Sequence, residues 1–150
     1  MATPAPSPEA IRVLIYEWIV ARGMPPGCAQ IGEALGISTR EARTALAGLK
    51  LGKTVLVHPV TGEIWMAGPF SDAETPYKVS SKSVTWFANC AWDMLGIPFV
   101  AGEEVRIEAH CTDCGELVTI ETGPTTPPPE QGIVHFLLPA ARWYEDIGFT

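Results

Sequence analysis

Hydrophobic residues near the start of the chain recur at helical spacing in three consecutive segments. IRVLIYEWIVARG has the pattern of an amphipathic helix, AQIGEALG that of a short second helix closed by glycine, and STREARTALAGLKLG that of a third. Ser38 stands three residues before Glu41, which is the spacing of a capping box and defines where the third helix starts. The pattern therefore predicts three helices at the N-terminal end.

The next segment, VLVHPVTGEIWMAG, alternates hydrophobic and polar residues around Thr61-Gly62, which predicts a β-hairpin. Three helices and a hairpin are the elements of a winged helix-turn-helix, with Ser38 to Leu51 in the position of the recognition helix. Charge argues against DNA binding. Six basic and four acidic side chains through Lys53 give this part +2, which leaves the remainder at −9 for a total of −7. Because the acidic part would repel phosphate, we expect no nucleic-acid binding.

Three runs with strand character occupy the second half of the chain: EVRIEAHC, ELVTIET and GIVHFLL. The last two are separated by a proline-rich segment from Gly123 to Gly132. Consecutive prolines hold extended backbone and cannot pair in a sheet, so this segment is predicted to be a stiff loop between two strands.

Helical segments flank these strands, because the apolar segment around Cys90 precedes them and a helix is expected to begin at Ala140. The pattern predicts an α+β fold. We expect a winged helix-turn-helix-like domain over residues 1–70, packed on a C-terminal domain of antiparallel strands and helices over residues 71–150.

Composition fits a small globular protein, since 150 residues at 47% hydrophobic content can bury a core. No apolar stretch approaches ~18 residues, and the start MATPAPSPEA has neither a basic segment nor an apolar h-region, so we expect no membrane insertion. We expect a cytoplasmic monomer. Four tryptophans with apolar neighbours are predicted to lie in the core: Trp65, Trp86, Trp92 and Trp143.

The segment WFANCAWDML places Cys90 three residues before Asp93. On a helix this spacing puts a thiol and a carboxyl on one face. A thiolate binds a soft metal, and a nearby acid can protonate the group that leaves the metal. The alternative is that Cys90 is an inert core residue of an apolar helix.

A second cysteine pair lies in HCTDCG, where Cys111 and Cys114 form a C-x-x-C motif. One such pair is half of a zinc site, because structural zinc takes about four ligands, and His135 or Cys28 could complete it. Cys114 has three interpretations: a substitute thiol in the active site, a redox partner of Cys111, or a residue at a strand end without a role. The four cysteines of a cytosolic protein are expected to be reduced.

From about Trp86 onward, FANCAWDMLGIPFVAGEEVRIEAHCTDCGELVTIE and GIVHFLLPAARWYEDIGFT resemble the catalytic core of the organomercurial (alkylmercury) lyase family. In that family a cysteine enters a helix and an aspartate follows three residues later, and Cys90 and Asp93 fall on this pair. Cys111 falls on a further family cysteine usually considered structural, whereas the family usually lacks a cysteine corresponding to Cys114. The resemblance also implies a helix-turn-helix-like N-terminal domain that is a structural part of the protein.

The resemblance implies cleavage of a carbon–mercury bond in an organomercurial substrate. Two active-site thiolates would hold the mercury, Cys90 being one of them, and Asp93 would take the thiol proton and deliver it to the carbon. The products would be a hydrocarbon and thiolate-bound Hg(II), passed on to cellular thiols or a mercuric reductase. No organic cofactor is implied. Cys111 and Cys114 are further candidate mercury ligands.

The sequence departs from the family pattern at its end. The family's second mercury-binding cysteine lies a few residues after a segment that matches PAARWYEDIGF, and no cysteine follows that segment before Thr150. The resemblance therefore implies a short or C-terminally truncated member with slow turnover, unless Cys111 or Cys114 replaces the second thiolate. The alternative function is a winged-helix regulator or soft-metal-binding protein without turnover.

Overall fold

The computed structural model describes residues 6–49, 53–130 and 132–148. Three helices come first, as predicted: α1 (Pro8–Arg22), α2 (Cys28–Leu35) and α3 (Thr39–Leu49). The capping box is confirmed, because the Ser38 hydroxyl accepts from the Glu41 N–H at 3.2 Å and the Glu41 carboxylate accepts from the Ser38 N–H at 2.8 Å. The predicted end of the third helix, Lys50 and Leu51, lies outside the described residues, as does Thr150.

The predicted hairpin is confirmed and belongs to a three-stranded antiparallel sheet. Its strands, in spatial order, are β1 (Val55–Val57), β2 (Ile64–Ala67) and β3 (Phe70–Ser71). The chain turns between β1 and β2 at Gly62, whose φ of +71° is the left-handed conformation that glycine adopts readily. Its N–H donates to the carbonyl of His58 at 2.9 Å and so closes the turn.

A second antiparallel sheet forms the C-terminal half, and its spatial order is β5-β4-β6-β7. These strands are β4 (Lys78–Ser80), β5 (Thr85–Phe87), β6 (Val105–His110) and β7 (Leu117–Thr122). Helix α4 (Ala91–Ala101) connects β5 to β6, and a 3₁₀ helix (Ala140–Glu145) follows the sheet. Helices and antiparallel sheets together confirm the α+β fold, and β6 and β7 confirm two of the three predicted strands.

One strand predicted in this half is absent from the described residues. GIVHFLL forms no strand within residues 132–148, because the chain turns back after β7, where the Thr122 hydroxyl donates to the carbonyl of Thr126 at 2.7 Å. Ile133 there is 94% exposed, so no sheet covers it. A helix does begin at Ala140, as predicted, and it is a 3₁₀ helix. Trp86, in the segment WFANCAWDML, lies on β5 and not on the helix that follows Cys90.

One hydrophobic core extends through both halves of the chain. Trp86 is fully buried, and its indole N–H donates to the carbonyl of Ile19 on α1 at 2.9 Å. Phe70 lies between Trp86 and Tyr16, with ring centroids 6.5 and 6.3 Å away respectively. These contacts hold α1 against the strands, and the division into domains at residue 70 stays a prediction.

The core prediction for tryptophan is confirmed for Trp86 and wrong for Trp92. Trp92 lies in the first turn of α4 and is 59% exposed, because this helix is apolar on all sides and only part of its surface meets the sheet. Trp65 and Trp143 are half-buried.

The helices and hairpin fit the predicted arrangement, while the helix-turn-helix interpretation and the absence of nucleic-acid binding stay predictions. Arg43 on α3 already pairs with Glu63 at the start of the hairpin's second strand, at 3.4 Å. Within the described ranges no helix is long and apolar enough to cross a membrane.

Candidate active site

Cys90 occupies the N-cap position of α4, with extended backbone angles of φ −151° and ψ 176°. The sequence predicted that Cys90 and Asp93 share one face of a helix; instead the helix begins at Ala91, and Cys90 lies just before it. Asp93 is the third residue of the first turn. The N-cap and N3 side chains of a helix face each other, so the two groups still come together.

The backbone before Cys90 is held by three hydrogen bonds to two other parts of the chain. The Ala88 N–H donates to the carbonyl of Tyr77 at 2.9 Å, and the Asn89 N–H donates to the carbonyl of Pro69 at 3.2 Å. The Thr75 hydroxyl donates to the carbonyl of Ala88 at 2.6 Å. These bonds fix the residues through which β5 leads into α4, so the position of Cys90 depends on contacts that are distant in sequence.

Burial raises the pKa of the half-buried Cys90 thiol above its ordinary value, because a thiolate loses hydration there. The first-turn N–H groups of Asp93 and Trp92 oppose this rise, although the sulfur makes no regular capping hydrogen bond. The carboxylate of Asp93 adds to the rise by its charge and by accepting the thiol proton. These effects together favour the protonated thiol over the thiolate.

Burial also raises the pKa of Asp93, while hydrogen bonding from Asn89 and Cys90 lowers it in part. The Cys90 thiol and the Asp93 carboxyl thus favour the state in which they share one proton. With no proton, a thiolate and a carboxylate would repel each other, and both would be poorly hydrated. A shared proton can move from sulfur to carboxylate when a metal takes the sulfur.

Asn89 is a site residue that the sequence did not indicate. Its amide Nδ2 donates to Asp93 Oδ2 at 3.2 Å, which orients the carboxyl. Its Oδ1 is buried and has no hydrogen-bond partner within the described part of the chain. An unpaired buried acceptor is costly, so Asn89 is held in this place by the surrounding fold. No spacing pattern marks an asparagine for this role.

Replacing Asn89 with alanine is expected to raise the pKa of Asp93 further, because the amide donor stabilises the charged carboxylate. Any activity that needs ionised Asp93 is lost when the pH falls below the pKa of that carboxyl. In Asn89→Ala this loss should therefore occur at a higher pH than in the unchanged protein. The pKa of Asp93 can be followed by carbon NMR of the side-chain carboxyl.

Ser38→Ala is the matched control, because the Ser38 hydroxyl donates to another carboxylate, Glu41, at 2.6 Å. This change should raise the pKa of Glu41 and leave that of Asp93 unchanged. An unchanged Asp93 pKa in Asn89→Ala would show that the amide does not control the carboxyl.

Helix α1 contacts the site through Tyr16, which the sequence also did not indicate. The Tyr16 hydroxyl donates to the carbonyl of Gly68 at 2.7 Å, and Gly68 and Cys90 line the same cavity. Burial raises the pKa of Tyr16; Arg12 opposes the rise, and the charge of Asp93 adds to it. The N-terminal part therefore supports the loop behind Cys90.

Cys90 and Asp93 open into a cavity of about 430 Å³. Its wall is mainly apolar and aromatic and includes Leu56, Met66, Tyr77, Phe136, Trp143, Tyr144 and Ile147. The last four come from the C-terminal segment, in which the Trp143 N–H donates to the carbonyl of Leu138 at 2.9 Å. Lys53 attaches this segment to the rest of the protein: its ammonium lies 4.2 Å from the Tyr144 ring centroid, and its carbonyl accepts from the Tyr144 hydroxyl at 3.5 Å. Such a cavity can take a small organic group beside the thiol.

Cys111 and Cys114 do not line this cavity; they lie in the turn between β6 and β7. Cys28 is fully buried on α2, where its N–H donates to Glu63 at 2.7 Å, and His135 is exposed. Within the described residues no group of three or more His, Cys, Asp or Glu could hold a metal ion. The alternative of a zinc site completed by Cys28 or His135 was therefore wrong.

A family model described as MerB, alkylmercury lyase, matches residues 70–148. Curated proteins give no match. The solved structures include one titled as the mercury-bound form of MerB2, with a TM-score of 0.59 and 18% sequence identity, which shows similarity of fold. The match covers 79% of this chain and 58% of that one, so the chain spans little more than half the length of the solved relative.

Proposed function

The chain belongs to the alkylmercury lyase family, and on that premise we propose that it cleaves the carbon–mercury bond of organomercurials by protonolysis. Cys90 is the mercury ligand and Asp93 the proton carrier. The observation that carries this proposal is the adjacent thiol and carboxyl at the wall of an apolar cavity, each with a pKa raised by burial. We also propose that the reaction takes place in the cytoplasm, where thiols stay reduced.

The first step is ligand exchange at mercury. The Cys90 sulfur forms a bond to the metal, the original counter-ligand leaves with its electron pair, and the thiol proton passes to the carboxylate of Asp93. Burial supports this transfer, because it disfavours both a free thiolate and a free carboxylate. Mercury bonding to sulfur replaces the lost thiol proton, and no charge is left without a partner.

The second step breaks the carbon–mercury bond. Its electron pair takes the proton from Asp93, which releases the hydrocarbon and regenerates the carboxylate, while Hg(II) stays on Cys90. The hydrogen bond from Asn89 keeps the carboxyl in reach and becomes stronger as negative charge returns to it. The aromatic wall of the cavity holds the organic group near this proton and keeps water out.

A second sulfur donor on the mercury makes the carbon a better base, because each soft donor pushes electron density onto it. We propose that a small-molecule thiol fills this role during turnover, and that Hg(II) is finally passed on to cellular thiols or a mercuric reductase. No organic cofactor takes part in the proposed steps.

The test is to supply an organomercurial with an excess of small thiol and to measure hydrocarbon by gas chromatography. We expect release that rises with thiol concentration. In parallel, alkylation mapped by mass spectrometry should show Cys90 protected first by the organomercurial.

Cys28 is the internal control in the same map, because it is fully buried and lies outside the cavity. Equal protection of Cys28 and Cys90 would contradict the assignment of the ligand. Protection of Cys90 with no hydrocarbon at any thiol concentration would favour the alternative, a soft-metal-binding protein without turnover.

A further inference from the structure

The turn between β6 and β7 brings two thiols together at the protein surface. The Gly115 N–H donates to the carbonyl of Cys111, and the Cys111 N–H donates to the carbonyl of Glu116, both at 2.8 Å. Gly115 has a φ of +76°, which closes the turn tightly. Residues three apart in such a turn have Cα atoms within about 7 Å of each other, so Cys111 and Cys114 can hold one ion between their sulfur atoms.

The surroundings of this pair favour binding a metal cation from solution. Cys114 is exposed and Cys111 is partly so, in contrast to the buried Cys28. The N–H groups of Cys114 and Asp113 and the thiol of Cys114 face the Cys111 sulfur. The turn thus keeps the two sulfur atoms together at the surface, where a metal ion or another thiol can reach them.

Two ligands without a third restrict which metal can be bound. Zinc takes about four protein ligands in a structural site, and no third or fourth one is available within the described residues. Hg(II) is a soft ion that two thiolates satisfy in a linear arrangement. We propose that Cys111 and Cys114 form a second mercury site, a surface dithiol that binds Hg(II) and takes it from Cys90 after the carbon–mercury bond is broken.

The position of the dithiol in the sheet supports this transfer. Phe87 at the end of β5 pairs with Lys78, which pairs with Glu108 near the end of β6. Phe87 and Glu108 are therefore at the same height in the sheet, on strands that are separated by one strand and lie roughly 10 Å apart. Cys90 and Cys111 each follow three residues later, so both lie at the same end of the sheet.

The transfer rests on the proposed function and needs only thiol exchange. The Cys111 thiolate bonds to Hg(II) as Cys90 leaves with its electron pair and takes a proton from solvent. The Cys114 thiol then gives its proton to solvent and displaces the small thiolate that was the second ligand. Mercury remains Hg(II) throughout, so no oxidant or reductant is required.

The binding test uses mercuric chloride alone and the full chain carrying Cys90→Ser, in the reduced state and with a competing small thiol. We expect one tightly held Hg(II) per chain, seen as a sulfur-to-mercury absorption band. Loss of one outer-sphere partner costs a metal site about 10–100-fold in affinity, so adding Cys111→Ser or Cys114→Ser should weaken retention by more than about 100-fold. Adding Cys28→Ser should leave it unchanged.

Retention that is unaffected by Cys114→Ser, or that is lost with Cys28→Ser instead, would overturn the proposal. The result does not depend on catalysis, so it stands even if the chain releases no hydrocarbon.

The transfer has its own readout in the chain that keeps Cys90. With organomercurial and limiting small thiol, Cys111→Ser/Cys114→Ser should release the first equivalent of hydrocarbon at the original rate and slow in later turnovers. Equal multiple-turnover rates would show that Hg(II) leaves Cys90 without passing through the dithiol.

Discussion

Replacing Asp93 with asparagine should lower hydrocarbon release by about a hundredfold to ten-thousandfold, the range that positioned acid–base groups contribute. The amide has nearly the shape of the carboxyl but can neither take the thiol proton nor deliver it to carbon. Mercury binding should persist, because the Cys90 sulfur and the first-turn N–H groups near it are unchanged. Gas chromatography measures the hydrocarbon, and protection of Cys90 from alkylation measures binding.

Asp72→Asn is the matched control for this change. Partial desolvation raises the pKa of Asp72 as it does that of Asp93, but Asp72 does not line the cavity. Its replacement should leave hydrocarbon release within about twofold, as for a surface change that alters stability by under 0.5 kcal/mol. If Asp93→Asn lost mercury binding and folding together, the carboxyl would be structural and the proposed mechanism would fail.

Replacing Trp86 with alanine should lower the free energy of unfolding by about 3–5 kcal/mol, the usual cost of emptying a fully buried aromatic site. The indole fills the space between α1 and β5, so its loss weakens the attachment of the N-terminal helix. Urea denaturation followed by far-UV circular dichroism measures the change. The reduced stability should also raise the mobility of Tyr16, which supports the loop behind Cys90.

Two further variants separate packing from hydrogen bonding. Trp86→Phe keeps most of the side-chain volume and removes the hydrogen bond to the Ile19 carbonyl. That carbonyl still accepts from the Gly23 N–H at 2.8 Å, so loss of the indole bond should lower the free energy of unfolding by only about 0.5–1.5 kcal/mol. Trp92→Ala removes an exposed indole and should cost about 0.5 kcal/mol or less. Equal losses in Trp86→Ala and Trp92→Ala would show that Trp86 does not hold the two parts together.

Local chemistry made several features predictable from sequence. The Ser38–Glu41 capping box and the glycine at the Thr61-Gly62 turn depend on neighbours within four residues, and both were found as predicted. The spacing of Cys90 and Asp93 likewise survives a shift of the helix start, because N-cap and N3 are close in any helix. The family was also recognisable from the residues around this pair.

Features that depend on distant contacts could not be predicted in the same way. Strands β4 and β5 are three residues each, too short to show a period, and β4 becomes a strand by pairing with β6, some thirty positions away. Asn89 and Tyr16 join the site only because the fold brings the Gly68 loop and the α4 cap together. The 3₁₀ helix contributes Trp143 and Tyr144 to the cavity wall, and in the sequence such aromatic residues cannot be distinguished from ordinary core residues.

The N-cap position of Cys90 has a consequence for the stability of the protein. Serine is among the best residues at a helix N-cap, and capping by serine in place of a residue that makes no capping bond is worth about 1 kcal/mol. Cys90 makes no such bond, so α4 begins less firmly than it could. A serine there would hold the helix better and could not bind mercury. If Cys90 has the proposed role, selection for a more stable helix alone would remove the activity.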